Sequence, residues 1–327
     1  YFSVVHTGEG DGWDVNRPCM ASVINYQGKI YLIDAGPNIS HSLNAMGIDI
    51  NEVEGIFHTH AHDDHFAGLT TLIRADHRIK YFATPLVRAS VTHKLAALMS
   101  IEESSFQEFF DVHDLDFNTW NSINGLEVRP VFSPHPVETN ILFFRTLWKE
   151  GYIEYAHLAD IASFEVLEGM ITEDPLSPGI SKKMFEDTRE DYLKPVHLKK
   201  IDIGGGLIHG KAEDFVEDGS EKIVLSHSAH ELSNQQKMTG SAVSFGTTDV
   251  LIPGNSDYSM RSAYGFLKGY YRGVEESDIN MLLNCGHQIY NAGTLLIHNN
   301  EVPKSVFLIL TGTVEFIAAE DSSGSIL

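Results

Sequence analysis

Four side chains of types that commonly bind metal ions lie within six residues of one another: His60, His62, Asp64 and His65. The segment follows the pattern H-x-H-x-D-H. Imidazole nitrogens and carboxylate oxygens are ligands that suit Zn, Mn or Fe. Two histidines two residues apart on an extended segment can face one ion, and an Asp-His pair at the start of the next helix can turn towards a second. The segment therefore predicts a metal site.

Short strands and turns precede this segment. Residues 2–6 form a short apolar run, and two further runs, 21–26 and 29–34, are separated by Gln27-Gly28, which predicts a hairpin. Residues 51–57 lead into another strand, which ends at His58. Helices are expected over 64–76 and 85–100, the second because Val87, Val91, Leu95 and Leu98 recur at three- and four-residue spacing.

The rest of the first 250 residues continues the mixture of strands and helices. Strands are expected at 126–132, 141–145, 152–158, 201–206 and 221–226, and a partly helical insertion at 163–200. Strands that alternate with helices favour an α/β fold with packed sheets.

The metal-binding segment resembles that of the metallo-β-lactamase superfamily, which implies an αββα sandwich with a two-metal site. In that family further ligands follow in a fixed order, and this sequence offers a match for each. His135 in Ser-Pro-His-Pro would complete the first metal with His60 and His62. Asp160 would bridge both metals, although the family more often has Ser-Gly before this Asp, where this chain has Leu-Ala.

The resemblance also implies the last ligand of the second metal. His227, at the end of the run 221–226, would complete that site with Asp64 and His65. His209, after three consecutive glycines, is an alternative. We prefer His227 because its strand-plus-His form resembles the ribonuclease Z branch, in which a second His assists the leaving group. His209 would then have that role, and Asp34 would support the metal loop from behind.

The family's chemistry implies how these residues would act. Two metals would hold a bridging hydroxide that attacks a carbonyl or phosphoryl centre. Asp64 would bind one metal and also orient or deprotonate the nucleophile, and His209 would donate a proton to the leaving oxygen. Two divalent ions, with Zn preferred over Mn or Fe, are the expected cofactors.

Composition limits the substrates and partners. The 327 residues carry 23 Lys and Arg but 45 Asp and Glu, a formal net charge of −22. This balance disfavours nucleic-acid and anionic-membrane partners, which require a positive field. Two cysteines are too few for a disulfide framework or a four-cysteine zinc site. With no export or membrane-spanning segment apparent, a cytoplasmic location is expected; a homo-oligomer is left open.

The C-terminal part has a different sequence pattern. Residues 258–277 are expected to be helical, and the runs 288–297 and 305–317 resemble the opening strands of a cyclic-nucleotide-binding domain. The expected organisation is a catalytic domain at 1–255, a helical connector at 256–280 and a partial β-roll at 281–327. The resemblance implies regulation by a cyclic nucleotide in the full-length protein.

The expected function is a binuclear metal-dependent hydrolase of a small phosphodiester or related ester. A thioesterase or lactonase of the same fold remains an alternative. The oxygen-reducing di-iron branch usually has Glu where this chain has His62, which favours hydrolysis, but a non-hydrolytic di-iron redox or sensor protein is the competing hypothesis. The fold alone does not choose among these chemistries.

Overall fold

The computed structural model describes residues 1–149, 151–174, 176–206, 208–254, 258–285, 288–291, 293–298, 301–310 and 312–316, with only the backbone of 258 and 259. The chain divides into two compact units, Tyr1–Gly254 and Asn255–Leu327. This division falls next to the boundary predicted after residue 255. The assignment of the parts as catalytic domain, connector and β-roll stays a prediction.

Thirteen strands are present in the described residues. In chain order they are β1 (Phe2–Gly8), β2 (Ala21–Tyr26), β3 (Lys29–Ile33), β4 (Val53–Phe57), β5 (Ile79–Ala83), β6 (Phe110–Asp114), β7 (Asn121–Ile123), β8 (Leu126–Ser133), β9 (Thr139–Trp148), β10 (Gly151–Leu158), β11 (Leu198–Asp202), β12 (Lys222–Ser226) and β13 (Thr248–Ile252).

The strands form two mixed sheets. The first has the order β13-β1-β2-β3-β4-β5-β6, and the second has the order β12-β11-β10-β9-β8-β7. In the first sheet β3, β4, β5 and β6 run parallel, and in the second β10, β11 and β12 do. The carboxyl ends of parallel neighbours meet at one edge of a sheet, which is where α/β proteins place their sites.

The predicted hairpin between β2 and β3 is confirmed. Tyr26 pairs with Lys29 across a two-residue turn, and Gln27 and Gly28 both have positive φ, at 50° and 78°. This is the turn geometry that matches the twist of the two strands.

Nine helices flank or follow the sheets in the described residues. They are α1 (Ile39–Ala45), α2 (Asp63–Phe66), α3 (Leu69–Leu72), α4 (Pro85–Met99), α5 (Phe106–Phe109), α6 (Phe164–Gly169), α7 (Lys182–Tyr192), α8 (Tyr258–Tyr270) and α9 (Glu276–Leu283).

Alternating side chains on the strands create three apolar layers. Phe57 and Phe144, from the two sheets, meet edge-to-face with ring centroids 5.0 Å apart in the central layer. The opposite face of the first sheet packs against α1, α3, α4 and α5, and that of the second against α6 and α7. The result is the predicted αββα sandwich, and the fold class is confirmed.

One of the two helix predictions in the first 100 residues needs correction. The expected helix over 64–76 is divided into α2 and α3, because the Gly68 N–H donates to the Ala35 carbonyl at 2.8 Å instead of to a carbonyl of the preceding turn. Helix α4 confirms the prediction over 85–100 and buries Val87, Val91 and Leu95, but Leu98 is 60% exposed. The apolar face ends one turn before the helix does.

The C-terminal unit contains α8 and α9, so the single helix expected over 258–277 is interrupted by a turn in which Gly273 has a φ of 86°. The Tyr264 hydroxyl and Lys268 both contact Glu276 and so join the two helices. None of the described residues within 288–316 belongs to a strand, and 317–327 lie outside the described residues. A strand requires a hydrogen-bonded neighbour, and the described residues of these two runs form no strand pairing; the β-roll stays a prediction.

Among the helices that the structure describes, none is long and apolar enough to cross a bilayer.

Buried histidines make stability depend on pH. Burial lowers the pKa of His6 to about 4 and that of His157 to about 3, whereas an unfolded histidine titrates at about 6.5. Between these values the unfolded chain binds protons that the folded chain does not. We therefore expect the free energy of unfolding to fall on acidification below about pH 6.5, by about 1.4 kcal/mol per pH unit for each histidine.

Denaturant titrations in the presence of a chelator, from pH 7 to pH 4, measure this slope. The variant His157→Phe should reduce it by about one proton's contribution. An unchanged slope in that variant would contradict the assignment of His157 as a neutral buried group.

Candidate metal centre

Asp34 holds the loop that carries the metal-binding segment. Its carboxylate accepts hydrogen bonds from the Thr59 backbone N–H at 2.8 Å, the Thr59 hydroxyl at 2.6 Å and His65 Nδ1 at 2.8 Å. Burial alone would raise the pKa of Asp34, but the hydrogen bond and charge of His65 outweigh it and bring the value to about 2. Asp34 thus orients the His65 ring with its Nε2 free for another partner, as the sequence predicted.

The first group of ligand atoms comes from three different elements. His60 and His62 follow β4, His135 follows β8 and Asp160 follows β10. His62 Nδ1 lies 3.1 Å from His135 Nε2, and Asp160 Oδ2 lies 3.4 Å from both His60 Nε2 and His135 Nε2. The four ligand atoms all lie within 4.8 Å of one another, a spacing that can surround one metal ion.

The second group shares Asp160 with the first. Asp160 Oδ1 lies 3.0 Å from His65 Nε2 and 3.5 Å from His227 Nε2. Asp64 Oδ2 lies 3.2 Å from His65 Nε2 and 3.1 Å from His227 Nε2. One carboxylate therefore presents one oxygen to each group, and the four atoms of the second group also lie within 4.8 Å.

His209 lies next to the second group. Its Nδ1 is 3.0 Å from Asp202 Oδ2 and 3.8 Å from Asp160 Oδ2, and its ring centroid is 4.4 Å from that of His227. The structure thus places both histidines that the sequence offered as last ligand beside Asp160. His227 lies in a group with Asp64, His65 and Asp160, and a third group joins His209 and Asp202 to the same His227 and Asp160.

Asp202 is a residue that sequence reasoning missed. It is buried at the end of β11 and accepts hydrogen bonds from the backbone N–H groups of Ile161, Gly204 and Gly210 as well as from His209. Its Oδ1 also lies 3.4 Å from His227 Nδ1. Its position could have indicated it. Asp202 ends β11, which runs parallel to β10, and Asp160 lies just beyond the end of β10.

The backbone is strained at two of these positions. Asp34 and His227 have φ values of 61° and 58°, in the left-handed region that non-glycine residues rarely adopt. Each residue directly follows a strand, β3 and β12 respectively. Such strain persists only where surrounding contacts fix it, and it is concentrated at functional sites.

The donor set fits a divalent cation. Among the buried side-chain atoms without a hydrogen-bond partner in the part of the chain that the structure describes, three are ligand atoms of these groups, namely His60 Nε2, His65 Nε2 and Asp160 Oδ1. Buried polar atoms are normally satisfied, so exceptions need an explanation. All three are atoms of the type that bind metals, and they point into the two groups. A metal ion in each group would satisfy them.

The electrostatics agree with this fit. Burial lowers the pKa of His60 and brings that of His135 to about 3, so both imidazoles are neutral at pH 7 and offer lone pairs. Burial also disfavours charge on His65, but the carboxylates of Asp160 and Asp64 outweigh it and raise its pKa. Burial opposes charge on Asp160, yet the surrounding histidines keep its pKa well below the usual value. The carboxylates of the centre therefore favour positive charge beside them, which metal ions would supply.

The other histidines have other partners. His58 bonds the His65 carbonyl through Nε2 and the Tyr81 hydroxyl through Nδ1, and His157 bonds the Tyr155 hydroxyl. Both therefore point away from the centre. Four more pair with nearby carboxylates, namely His6, His77, His93 and His113. His287 lies outside the described residues.

Comparisons with known proteins match mainly the first part of the chain. The profile of a family described as anti-Pycsar protein Apyc1 matches residues 2–152. A ribonuclease Z of Clostridium kluyveri is 40% identical over 58 residues, which cover 18% of this chain and 19% of that enzyme. The chain matches less than a fifth of the length of the curated relatives it resembles.

Solved structures decide the fold. The metallo-β-lactamase fold protein YhfI from Bacillus subtilis is similar to this chain with a TM-score of 0.56 at 12% identity, over 76% of this chain and 98% of that one. The chain has the metallo-β-lactamase fold. A diphosphatase of the PhnP family gives the same TM-score and coverage at 15% identity. At these identities the likeness establishes the metallo-β-lactamase fold and leaves the reaction to the residues of the centre.

Removing the support behind the loop should weaken metal binding without unfolding the chain. We expect Asp34→Asn to lower the affinity for Zn²⁺ by about 10–100-fold, because an amide cannot hold the His65 ring as a carboxylate does. Competition with a colorimetric zinc chelator measures the affinity.

The matched control is Asp249→Asn, because Asp249 also accepts from a buried histidine, His6, but belongs to neither ligand group. Equal losses of affinity in the two variants would argue against a specific role for Asp34.

Proposed function

We propose that this chain is a hydrolase that uses two divalent metal ions, with zinc preferred, to cleave a small phosphodiester. The observation that carries the proposal is the Asp160 carboxylate, whose two oxygens face two separate groups of ligand atoms. His60, His62 and His135 would hold one ion, and Asp64, His65 and His227 the other. Such paired sites are typical of enzymes that hydrolyse phosphate esters.

Metal ions held there would lower the pKa of water and neutralise negative charge that develops at phosphorus. The chain's own residues set the rest of the geometry. Asp64 stays ionised, because His65 and His227 outweigh the effect of burial and lower its pKa. An ionised carboxylate at the half-buried rim of the centre can orient a water molecule and accept its proton.

His209 is the proposed proton donor. Asp202 binds its Nδ1, which leaves Nε2 as the ring atom that exchanges a proton with a substrate. In the reaction one P–O bond forms from water and one P–O bond to the leaving group breaks. The leaving oxygen takes the proton from His209, and the side chain is 19% exposed, so it can regain a proton from solvent.

Hydrolysis of a phosphodiester is favoured over the other chemistries of this fold. The resemblance to part of a ribonuclease Z and the fold shared with a diphosphatase support phosphorus as the centre attacked. The net charge of −22 disfavours a polynucleotide and favours a small substrate. Thioester or lactone hydrolysis and a di-iron redox or sensor role remain the second candidates. The oxygen-reducing di-iron branch usually has Glu where this chain has His62, which argues against the redox role.

The proposal includes two finer points. Regulation by a cyclic nucleotide in the full-length protein is supported by the sequence pattern of 288–317 alone. A cytoplasmic location is the second point and stays a prediction.

The first test is hydrolysis of bis(p-nitrophenyl) phosphate by protein reloaded with Zn²⁺ or Mn²⁺, against a chelator-stripped sample. We expect turnover only with metal, and two metal ions per chain by elemental analysis. Asp160→Ala should lose metal and activity together, because both groups lose a ligand atom. Full activity with normal metal content in that variant would falsify the assignment. Two bound ions with no turnover would favour thioesters or lactones, and visible absorbance from iron would favour the redox role.

The role of His209 has its own test. His209→Ala should keep both metal ions yet slow the hydrolysis of methyl phenyl phosphate by about 100-fold, because phenolate leaves poorly without a proton. Methyl p-nitrophenyl phosphate, whose leaving group needs little protonation, should be affected much less. If His209→Ala loses one metal ion instead, His209 is a ligand and displaces His227.

A further inference from the structure

The loop between β1 and β2, residues 9–20, runs along the second ligand group. Gly12, with a φ of 84°, lies so close to Asp64 that a Cβ on it would be 2.7 Å from the Asp64 Cβ. On the far side of the group, Arg17 donates to the carbonyl of Ser228 at 2.6 Å, and Ser228 directly follows His227. The loop therefore contacts the chain beside two of the four proposed ligands of this metal.

The same loop is fixed at its base. Lys200, a fully buried residue of β11, donates to the carbonyls of Gly8 at 3.0 Å and Ala21 at 2.7 Å, where the two flanking strands end and begin. The Ser228 backbone N–H donates to the Glu9 carbonyl at 3.0 Å. Asn38 reaches the Val15 carbonyl at 3.3 Å. A loop held at its base, its middle and its tip presents its side chains in fixed positions.

Trp13 is the largest apolar side chain that this loop exposes to solvent. It is 91% exposed and directly follows Gly12, so its Cα lies about 3.8 Å from the Cα of the residue that touches Asp64. Single exposed apolar side chains are ordinary on protein surfaces. Trp13 differs from the similarly exposed Met238 because it sits on a loop anchored to the residues of the centre.

We propose that Trp13 is a specificity residue: its indole stacks on a flat ring in the group that the substrate carries on phosphorus. This inference rests on the proposed phosphodiester hydrolysis. An indole offers a large, rigid face that favours offset stacking with another ring.

The charges of the loop indicate which groups it accepts. Glu9, Asp11 and Asp14 are acidic, and Arg17, its one cation, is paired with Glu9 and with the Ser228 carbonyl. A second phosphate on the substrate would be repelled here. The loop therefore favours an uncharged ring, so that the preferred substrate has one anionic phosphodiester and a flat neutral substituent.

Two substrates with the same leaving group test the inference. Thymidine 5′-(p-nitrophenyl phosphate) carries a flat base, whereas methyl p-nitrophenyl phosphate carries none. In the zinc-loaded wild-type chain we expect the ratio of their kcat/KM values to favour the thymidine ester. Trp13→Ala should reduce that ratio by about tenfold, mainly through KM, and Trp13→Phe should restore part of it. Val15→Ala, an exposed apolar truncation on the same loop, is the matched control and should leave the ratio unchanged.

Binding provides a readout that does not depend on turnover. The chain has three tryptophans, and Trp120→Phe with Trp148→Phe leaves Trp13 as the single indole. Thymidine 5′-monophosphate should quench the fluorescence of this variant in its zinc-loaded form. An unchanged kcat/KM ratio in Trp13→Ala, or no quenching at millimolar nucleotide, overturns the inference. Loss of turnover on both esters in the wild type, with quenching intact, would instead overturn the proposed reaction and leave the contact standing.

Discussion

The centre depends on one buried carboxylate, Asp160, that is surrounded by imidazoles from several parts of the chain. An isolated carboxylate in this position would be neutralised by protonation, since burial disfavours its charge. The histidines reverse that preference and keep it ionised. Its two oxygens then divide the surrounding histidines into two groups. The sandwich is arranged to make this possible, because β4, β8, β10 and β12 all end at the same rim.

Further polar contacts hold the side chains and turns of the ligand groups in position. Asp34 fixes Thr59 and His65, while Asp202 fixes His209 and, through the backbone N–H groups of Gly204 and Gly210, the glycine-rich turn that carries His209. Both carboxylates are fully buried. Each lies at the carboxyl end of a strand that has a parallel neighbour, Asp34 after β3 and Asp202 at the end of β11. The left-handed backbone at Asp34 and His227 shows that these turns are shaped for the side chains they deliver rather than for ease of folding.

The sequence predicted the parts of the centre that are local. His60, His62, Asp64 and His65 form a contiguous pattern whose spacing carries chemical meaning. His135, Asp160 and His227 were accessible only through a family resemblance, because each is a lone residue after an ordinary strand. Asp202 was missed for the same reason. The interruption of the helix at Gly68 depends on the Ala35 carbonyl, which accepts from the Gly68 N–H, a tertiary contact that no local pattern encodes. Strands β5 and β6 were overlooked because their identity comes from their parallel neighbours.

The buried Lys200 side chain donates to the carbonyls at both ends of the β1–β2 loop. This contact has a consequence for how the sequence can evolve. Because Lys200 holds the flanking strands together beneath the loop, substitutions between Glu9 and Met20 that spare Gly12 and Arg17 should leave the sheets and the histidines in place. The exposed positions of the loop and the residues of the ligand groups are thus encoded by separate codons. A lineage of such proteins can vary the outer face of this loop while the ligand groups stay constant.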